Sequence, residues 1–338
     1  MKTNLRVATI EPAPPSRPFA SPDLSFARDV VAGLSAATKR LPCTWLYDHR
    51  GSELFEAITR VPEYYPTRTE ILILQSCAGQ IAALAGPRAT VIELGSGSSR
   101  KTPLLLAALD APALYMPVDI SAQYLQESVQ GLQVQFARLS MRPLVADFTR
   151  PLALPPRHAG DGRRLVFFPG STIGNFAPDA AVPLLRQIGQ AAGAGALLVL
   201  GADATQDPAV LLPAYDDAQG VTAAFNKNLL VRINRELGAD FDPEAFRHEA
   251  RFDAAQRRVE MHLVSLREQR VRLLGRSIGF AAGESIHTEN SYKHGPTRLE
   301  ALAGRAGWTA RQLWMDAHSR FAVHVFENCV QAEAGCAP

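Results

Sequence analysis

A short strand that ends in two glycines carries the residues with the clearest chemistry in this sequence. The segment Val91-Ile-Glu-Leu-Gly-Ser-Gly97 predicts a strand and a turn, and Lys101-Thr-Pro103 then opens an apolar helical run. Glycines have no Cβ and adopt positive φ, so such a turn lets a phosphate, ribose or amino-acid group approach the backbone. The sequence therefore predicts a ligand site at this strand end; the alternative is an ordinary α/β turn that binds nothing.

The residues around the turn indicate which ligand would fit. Arg100 replaces the third glycine of the dinucleotide fingerprint G-x-G-x-x-G, which argues against a pyrophosphate over the helix start. Glu93 stands where enzymes that use S-adenosylmethionine often carry an acid facing the cofactor. Asp119 ends the next predicted strand, 24 residues after Gly95, where an acid accepts hydrogen bonds from both ribose hydroxyls.

Two further strand ends carry groups that can bind a ligand. Asp147 and Phe148 end a third predicted strand, and an acid followed by an aromatic residue can bond an adenine amino group and stack on its ring. The fourth strand, 164–168, leads into the loop 169–176. Because loops at the carboxyl ends of parallel strands form the ligand crevice, Asn175 is a candidate substrate ligand.

Composition limits the partners. The 338 residues include 35 Lys and Arg against 33 Asp and Glu, a net charge of +2, so no global field recruits nucleic acid or an anionic membrane. The four cysteines form no C-x-x-C pair and the eight histidines no H-x-x-x-H pair, which predicts reduced thiols and no metal site. No signal peptide and no apolar run of about 18 residues occurs, so we expect a cytoplasmic protein, and a monomer.

The order of predicted elements indicates the fold class. Five strand-helix units are followed by a closing strand pair at 311–315 and 321–326, whereas a dehydrogenase would continue with a parallel sixth strand. This pattern predicts the methyltransferase variant of the doubly wound, Rossmann-like α/β sheet. Two helical patterns and an alternating strand interrupt it, and predict an inserted α+β lobe.

The chain is predicted to have three parts. We expect a flexible, proline-rich lead-in at 1–22, a substrate-binding lobe made of 23–67 and 203–293, and a cofactor-binding domain made of 68–202 and 294–338. Within the lobe, Ser52 is the predicted cap of a short helix, and Thr67-x-x-Glu70 matches a capping box for a helix over 71–84. The first helix is predicted to bury one face, formed by Leu24, Ala27, Val31 and Leu34.

Eight longer motifs, in order along residues 40 to 326, resemble the histidine-specific Nα-methyltransferases of ergothioneine biosynthesis. They are Trp45-Leu-Tyr-Asp-x-Arg-Gly-Ser-Glu-Leu-Phe55, Pro62-Glu-Tyr-Tyr-Pro-Thr-Arg68, Glu93-Leu-Gly-Ser-Gly97, Pro169-Gly-Ser-Thr-Ile-Gly-Asn-Phe176, Ala214-Tyr-Asp-Asp217, Ala223-Ala-Phe-Asn-Lys-Asn-Leu229, Ile233-Asn-Arg-Glu-Leu-Gly238 and Thr288-Glu-x-Ser-x-Lys293. The resemblance implies an enzyme in which S-adenosylmethionine methylates the α-amine of L-histidine three times, giving hercynine, the first step toward ergothioneine.

The resemblance also implies a role for each matching position. The residues that would touch the cofactor are Gly95, Lys101, Asp119, Asp147 and Phe148. Those that would hold the carboxylate and amine of histidine are Tyr47, Gly170, Asn175 and Tyr215, and those around its imidazole are Tyr64, Glu289 and Ser291, with Phe225 and Met261 shaping the pocket. The two expected to act in catalysis are Tyr47 and Asn175.

The residue types suit this chemistry, and other interpretations stay open. Methyl transfer needs an aligned, deprotonated amine, for which Tyr47 is a proton acceptor or relay, or only an orienting group, since an unperturbed tyrosine is too weak an acid to ionise near neutrality. Glu289 would bond an imidazole N–H. Alternatively, Glu289 and Ser291 are solvated loop residues, and Tyr215, Phe225 and Met261 are core.

Three classes of function remain at this stage. A nicotinamide dehydrogenase would need the third glycine, and a non-catalytic adenosyl-binding module would need neither the Asn175 loop nor the inserted lobe. Within the methyltransferase class, another aromatic or modified amino acid is the alternative substrate.

Overall fold

The computed structural model describes residues 24–156 and 160–329. The predicted lead-in therefore lies outside the described residues. The helices, in chain order, are α1 (Leu24–Leu34), α2 (His49–Ile58), α3 (Tyr65–Ala85), α4 (Thr102–Ala108), α5 (Ala122–Gln135), α6 (Pro178–Ala192), α7 (Pro208–Tyr215), α8 (Val221–Leu237) and α9 (Pro296–Arg305). The strands are β1 (Thr90–Leu94), β2 (Leu114–Asp119), β3 (Leu144–Val145), β4 (Arg164–Phe168), β5 (Leu197–Asp203), β6 (Phe246–Asp253), β7 (Arg258–Ser265), β8 (Gln269–Leu273), β9 (Arg276–Phe280), β10 (Ser285–Tyr292), β11 (Trp308–Met315) and β12 (Phe321–Asn328).

Seven strands form the main sheet, in the order β11-β12-β5-β4-β1-β2-β3. Strands β1 to β5 are parallel, and β12 pairs antiparallel with both β5 and β11. This topology confirms the predicted doubly wound fold with its closing hairpin. The chain runs outward from β1 to β3 and then returns to β4 on the other side of β1, so the carboxyl ends of β1, β2 and β4 border a crevice at the point where the strand order reverses.

Helices cover both faces of the main sheet, which explains why its parallel strands are apolar at nearly every position. Val91 of β1 packs into one core with residues of α3, α4 and α5, and the next residue, Ile92, packs into a second core with α6 and α9. The predicted range of β4, 164–168, agrees with the structure.

A third core lies outside the sheet and draws on two separate parts of the chain. It combines residues between 26 and 65 with residues between 211 and 286. Its strands form a three-stranded antiparallel sheet, β10-β7-β6, and a two-stranded sheet, β8-β9. Helix α3 contributes Tyr65 to this core and Ile73 to a core of the main sheet, so one continuous helix joins the two.

Several local predictions are wrong. Helix α2 begins at His49 with Asp48 as its N-cap, accepting from the Gly51 N–H at 2.7 Å, so Ser52 lies inside the helix. Helix α3 begins six residues before the predicted start, with a proline in its first turn, so Thr67 caps nothing. The third strand consists of Leu144 and Val145, so Asp147 and Phe148 lie in the loop after it and do not end it. In α1, Leu24 is 79% exposed and the buried face consists of Phe26, Val30 and Leu34.

No helix among the described residues combines the length and the apolar composition that a membrane span requires.

Candidate active site

The glycine turn after β1 adopts the conformation that its residues predict. Gly95 has φ 67° and Gly97 φ 50°, values that only glycine adopts at little cost. The Asp119 carboxylate accepts hydrogen bonds from the Gly97 N–H at 3.1 Å and from the Ser121 N–H at 3.0 Å, which fixes it beside the turn. Burial raises the pKa of Asp119, and these two bonds oppose that rise.

A large cavity opens above this turn, with an empty volume of about 1300 Å³ including the part open to solvent. All five residues predicted to touch the cofactor line it: Gly95, Lys101, Asp119, Asp147 and Phe148. The hydroxyl of Ser96, also in the wall, is buried without a hydrogen-bond partner among the described residues. Exposed Arg100 and Thr149 stand at its rim, so this cavity reaches the surface.

Two acids in or behind this wall already have protein partners. Glu93 Oε2 accepts from the hydroxyls of Thr102 at 2.7 Å and Tyr115 at 2.6 Å, and burial raises its pKa to about 7. Asp147 Oδ1 accepts from the N–H of Thr149 at 2.9 Å. Glu93 is therefore held in place by α4 and β2, and Asp147 by the residues that follow it.

Glu70 is a site residue that the sequence analysis assigned to a helix cap. It is 1% exposed; its Oε2 lies 2.5 Å from Lys101 Nζ and accepts from the Gly170 N–H at 2.9 Å. One carboxylate thus connects α3, the segment before α4 and the loop after β4. The sequence did contain a signal for this role, because Glu70 is an acid within an otherwise apolar helix. Its match to the capping-box pattern led to a different interpretation.

A smaller cavity, with an empty volume of about 470 Å³, adjoins the large one. All nine residues predicted to bind the substrate line it: Tyr47, Tyr64, Gly170, Asn175, Tyr215, Phe225, Met261, Glu289 and Ser291. Six residues belong to both cavities: Tyr47, Phe55, Tyr64, Gly170, Thr172 and Asn175. Glu289 and Ser291 lie on β10 and are 8% and 6% exposed, so they are not solvated loop residues.

A β-bulge turns Glu289 toward this cavity. His287 pairs with His262 of β7, and the register then shifts so that Glu289 pairs with Met261, whose side chain lies on the cavity face. Because neighbouring residues of a strand point to opposite faces, the extra residue at Thr288 moves Glu289 to the face opposite His287.

The carboxyl group of Glu289 is a buried acid in the wall of the small cavity. Its Oε1 accepts from the Tyr47 hydroxyl and from Asn175 Nδ2, each at 3.3 Å, while Oε2 has no hydrogen-bond partner among the described residues. Burial raises the pKa of Glu289 to about 7, and the Tyr47 hydrogen bond opposes the rise. Burial and the charge of Glu289 raise the pKa of Tyr47 well above its usual value, so Tyr47 stays protonated.

The wall of the small cavity also carries two hydroxyls that are held by a buried ion pair. The Tyr215 hydroxyl lies 2.8 Å from Ser291 Oγ, and Lys293 Nζ donates to both, at 2.7 and 2.9 Å. Lys293 also bonds Asp203 Oδ2 at 2.9 Å. No local sequence pattern indicates a role for Lys293 or Asp203, because Asp203 ends β5 of the main sheet and only the fold brings the two together.

Three possible metal ligands lie on the face of β7 and β10 that points away from the cavity. The ligand atoms of Glu260, His262 and His287 are within 4.8 Å of one another, although the two histidines are 25 residues apart in sequence. The His262 nitrogens bond Glu260 and Ser285, His287 bonds the Glu289 carbonyl, and the two rings stack at 4.9 Å with 18° between their planes. None of the three lines either cavity.

Comparisons with known proteins agree with this geometry. The chain is 44% identical over 297 residues to a histidine N-alpha-methyltransferase of Mycolicibacterium smegmatis, a match that covers 86% of this chain and 91% of that protein. It is 42% identical over 298 residues to the enzyme of the same name from Mycobacterium tuberculosis, covering 87% and 92%. A 4-dimethylallyltryptophan N-methyltransferase of Claviceps purpurea is 31% identical over 205 residues, covering 56% and 59%.

The family profile described as "Histidine-specific methyltransferase, SAM-dependent" matches residues 26–328. This match spans the main sheet, its two cavities and the third core together. The chain belongs to the family of histidine-specific, S-adenosylmethionine-dependent methyltransferases.

Proposed function

We propose that this enzyme transfers methyl groups from S-adenosylmethionine to the α-amine of L-histidine, three times, and so forms hercynine for ergothioneine biosynthesis. The observation that carries the proposal is the free Oε2 of Glu289 in a cavity of buried polar groups next to the glycine turn. An imidazole N–H satisfies that oxygen, whereas a purely apolar side chain would leave a buried carboxylate unpaired. The names of the mycobacterial relatives support the same substrate.

The residues of the large cavity fit S-adenosylmethionine, which supplies the sulfonium methyl group when bound. Asp119 would bond both ribose hydroxyls, Asp147 and Phe148 would contact the adenine, and Gly95 and Lys101 would face the amino-acid part. All five residues line the cavity. The unpartnered Ser96 hydroxyl offers a further hydrogen bond. We assign the cofactor to 68–202 and 294–338 and the amino acid chiefly to the lobe of 23–67 and 203–293.

The residues common to both cavities place the amine where the methyl group arrives. Tyr47, Gly170 and Asn175 hold the carboxylate and amine of histidine at this common wall, with Tyr215 nearby. Tyr64, Glu289 and Ser291 surround the imidazole, and Phe225 and Met261 fill the remaining wall. Holding the lone pair in line with the methyl group removes most of the entropic cost of a bimolecular displacement.

The ammonium must lose a proton before each transfer. Tyr47 cannot act as a stored tyrosinate, because its pKa is raised. It accepts the ammonium proton as its own proton passes to Glu289 Oε1, 3.3 Å away. The carboxyl group of Glu289, with a pKa of about 7, releases this proton to solvent before the next transfer and so becomes an acceptor again. If this relay does not operate, Tyr47 only orients the amine.

The test is incubation with S-adenosylmethionine and a panel of amino acids, followed by mass spectrometry. We expect mono-, di- and trimethylated histidine in succession, with every methyl group on the α-nitrogen in fragment spectra. Ring methylation would overturn the proposal, and so would a preference for tryptophan, the alternative that the Claviceps relative brings into the panel. The cytoplasmic location and the monomeric state stay predictions.

A further inference from the structure

The group of Glu260, His262 and His287 takes no part in the proposed methyl transfer. Glu260 and His262 are two residues apart on β7, so they project from the same face of the sheet. His287 of β10 pairs with His262, which brings its ring to that face as well. Sequence spacing within one helix or strand does not reveal such a group, because its members come from two strands.

The spacing of the three ligand atoms suits a single metal ion. They lie within 4.8 Å of one another. Ligand atoms sit about 2.0–2.2 Å from zinc, so two of them on one tetrahedral ion are about 3.4 Å apart. Side-chain rotations of about an ångström close the difference, and Glu260 and His287 are only half-buried, which leaves room for that movement and a path from solvent.

Hydrogen bonds to neighbouring groups hold both rings. His287 Nε2 donates to the Glu289 carbonyl at 3.0 Å, and since a carbonyl only accepts, the lone pair of the neutral ring is on Nδ1. His262 Nδ1 lies 3.2 Å from Ser285 Oγ, and its Nε2 lies 2.9 Å from Glu260 Oε2. Histidines that bind metals are held in this way, with one nitrogen on the ion and the other on an oxygen of the protein.

The surrounding charges leave the acid available and limit the affinity. Glu260 Oε1 accepts from Arg258 Nε at 2.9 Å, so Oε2 is the oxygen left for an ion. On the neighbouring strand β6, Glu249 accepts from Arg251 at 2.6 Å and also bonds Arg247. One positive charge is therefore in excess, although the Arg247 side chain is half-exposed and screened by solvent. We expect micromolar rather than nanomolar affinity for a cation.

A buried oxygen beside the group has no partner. Asn290 of β10 pairs with Glu260 of β7, so its side chain lies on the same face as the three ligands. Its Oδ1 is buried and has no hydrogen-bond partner among the described residues. Three-ligand zinc sites carry a water molecule in the fourth position, and such a water would donate to this oxygen.

We propose that Glu260, His262 and His287 form a binding site for one divalent transition-metal ion, with zinc as the ion. Two imidazole nitrogens and one carboxylate oxygen, with a fourth position open to water, are a ligand set that zinc takes in proteins, and zinc binds it more tightly than manganese or iron does. The ion would link β7 to β10 beside the bulge at Thr288, on the side of the sheet opposite the small cavity. The inference is independent of the proposed function.

The test is a zinc titration of the full chain, prepared without an affinity tag and without histidine, because both chelate zinc. Protein stripped of metal by a chelator is dialysed and titrated with ZnCl2 against a chromophoric competitor, which gives the stoichiometry and the affinity. We expect one equivalent with a micromolar Kd. The unfolding temperature should rise by a few degrees at a zinc concentration about 100-fold above that Kd.

Three variants each remove one ligand: Glu260→Gln, His262→Gln and His287→Gln. Loss of an outer partner of a metal ligand typically weakens metal binding by about 10- to 100-fold, so loss of a ligand should weaken zinc binding at least about tenfold. The controls are His318→Gln, at an exposed histidine, and His49→Gln, whose ring lies near Glu53 and Glu127 and so removes a different histidine beside acids. Both should bind zinc as the wild type does.

Zinc binding that is equal in the wild type and the folded His287→Gln variant would overturn the inference, and so would loss of the equivalent in either control. His262 is nearly buried, so if its variant unfolds, the variants at half-buried Glu260 and His287 decide the matter. The visible spectrum of the wild type with Co2+ gives a second readout. Intense bands of a four-coordinate ion are expected, and the weak bands of a six-coordinate surface ion would contradict the site. Methylation of histidine by the metal-free protein tests the proposed function separately.

Discussion

Asp119 has two roles, and a single substitution tests both without changing the other residues of the site. Its carboxylate fixes the glycine turn and, in the proposed function, bonds the ribose. Asp119→Ala should weaken S-adenosylmethionine binding by about 1.5–3 kcal/mol, the contribution of hydrogen bonds to a charged group. Calorimetric titration measures this, with the exposed acid Asp110→Ala as the control. Unchanged affinity in a folded variant would remove Asp119 from the cofactor site.

The raised pKa of Glu289 predicts how kcat/KM depends on pH, and burial of the carboxylate gives the direction. Because its pKa is raised from 4.5 to about 7, the carboxylate gains a proton as the pH falls through neutrality, and it then no longer accepts an imidazole N–H freely. We expect kcat/KM for histidine to decrease below about pH 7. The imidazole of the substrate titrates near pH 6.5 as well, so the comparison with Glu289→Gln is needed.

Glu289→Gln should lower kcat/KM for histidine by orders of magnitude. The decrease of kcat/KM at low pH should also become smaller, because the part caused by protonation of Glu289 is lost. The profile of kcat/KM against pH in both proteins decides this. Parallel profiles would show that the decrease at low pH comes from titration of the substrate alone.

At the scale of elements, Gly201 of β5 lies against Glu70, the residue of α3 that binds the loop after β4. A Cβ at this position would lie 2.0 Å from Glu70 Oε1 and 3.2 Å from the Phe321 ring. Gly201→Ala should therefore displace Glu70 from Lys101 and Gly170, destabilise the fold by about 1–3 kcal/mol and weaken cofactor binding.

The matched control is Gly279→Ala in β9, where a Cβ would meet no atom within 4 Å. Chemical denaturation and calorimetry of both variants test the expectation. Equal stability and equal cofactor affinity in the two would show that Glu70 adjusts without consequence.

The elements also show what could be predicted from sequence and why. The cofactor residues follow strands of continuous apolar sequence, and the glycine turn is a local pattern, so Gly95 and Asp119 were accessible to direct reasoning. Strand β10 has polar residues at most positions and a bulge in its middle, so nothing local indicates that Glu289 and Ser291 are buried. Only the resemblance identified them, and Lys293 and Asp203 needed the tertiary structure.

At the scale of the molecule, the third core is assembled from segments more than a hundred residues apart. Its first segment carries Tyr47 and Tyr64, its second carries Tyr215, Phe225 and Met261, and α3 connects it to the main sheet. Sequence periodicity showed that an insertion exists but not that the N-terminal segment packs with it, because such contacts leave no local pattern. The resemblance supplied that association, because it assigns residues of both segments to one substrate.

The common wall of the two cavities has a consequence for the succession of methyl transfers. In the proposed function the amine lies at this common wall, and the large cavity beside it reaches the surface, so spent cofactor can leave by that side and be replaced. Mono- and dimethylated ammonium groups still carry an N–H for Tyr47 or Asn175. The quaternary ammonium carries none, and its nitrogen can neither donate a hydrogen bond nor attack again. The enzyme would thus recognise completion by the disappearance of the last donor, and no separate counting device is needed.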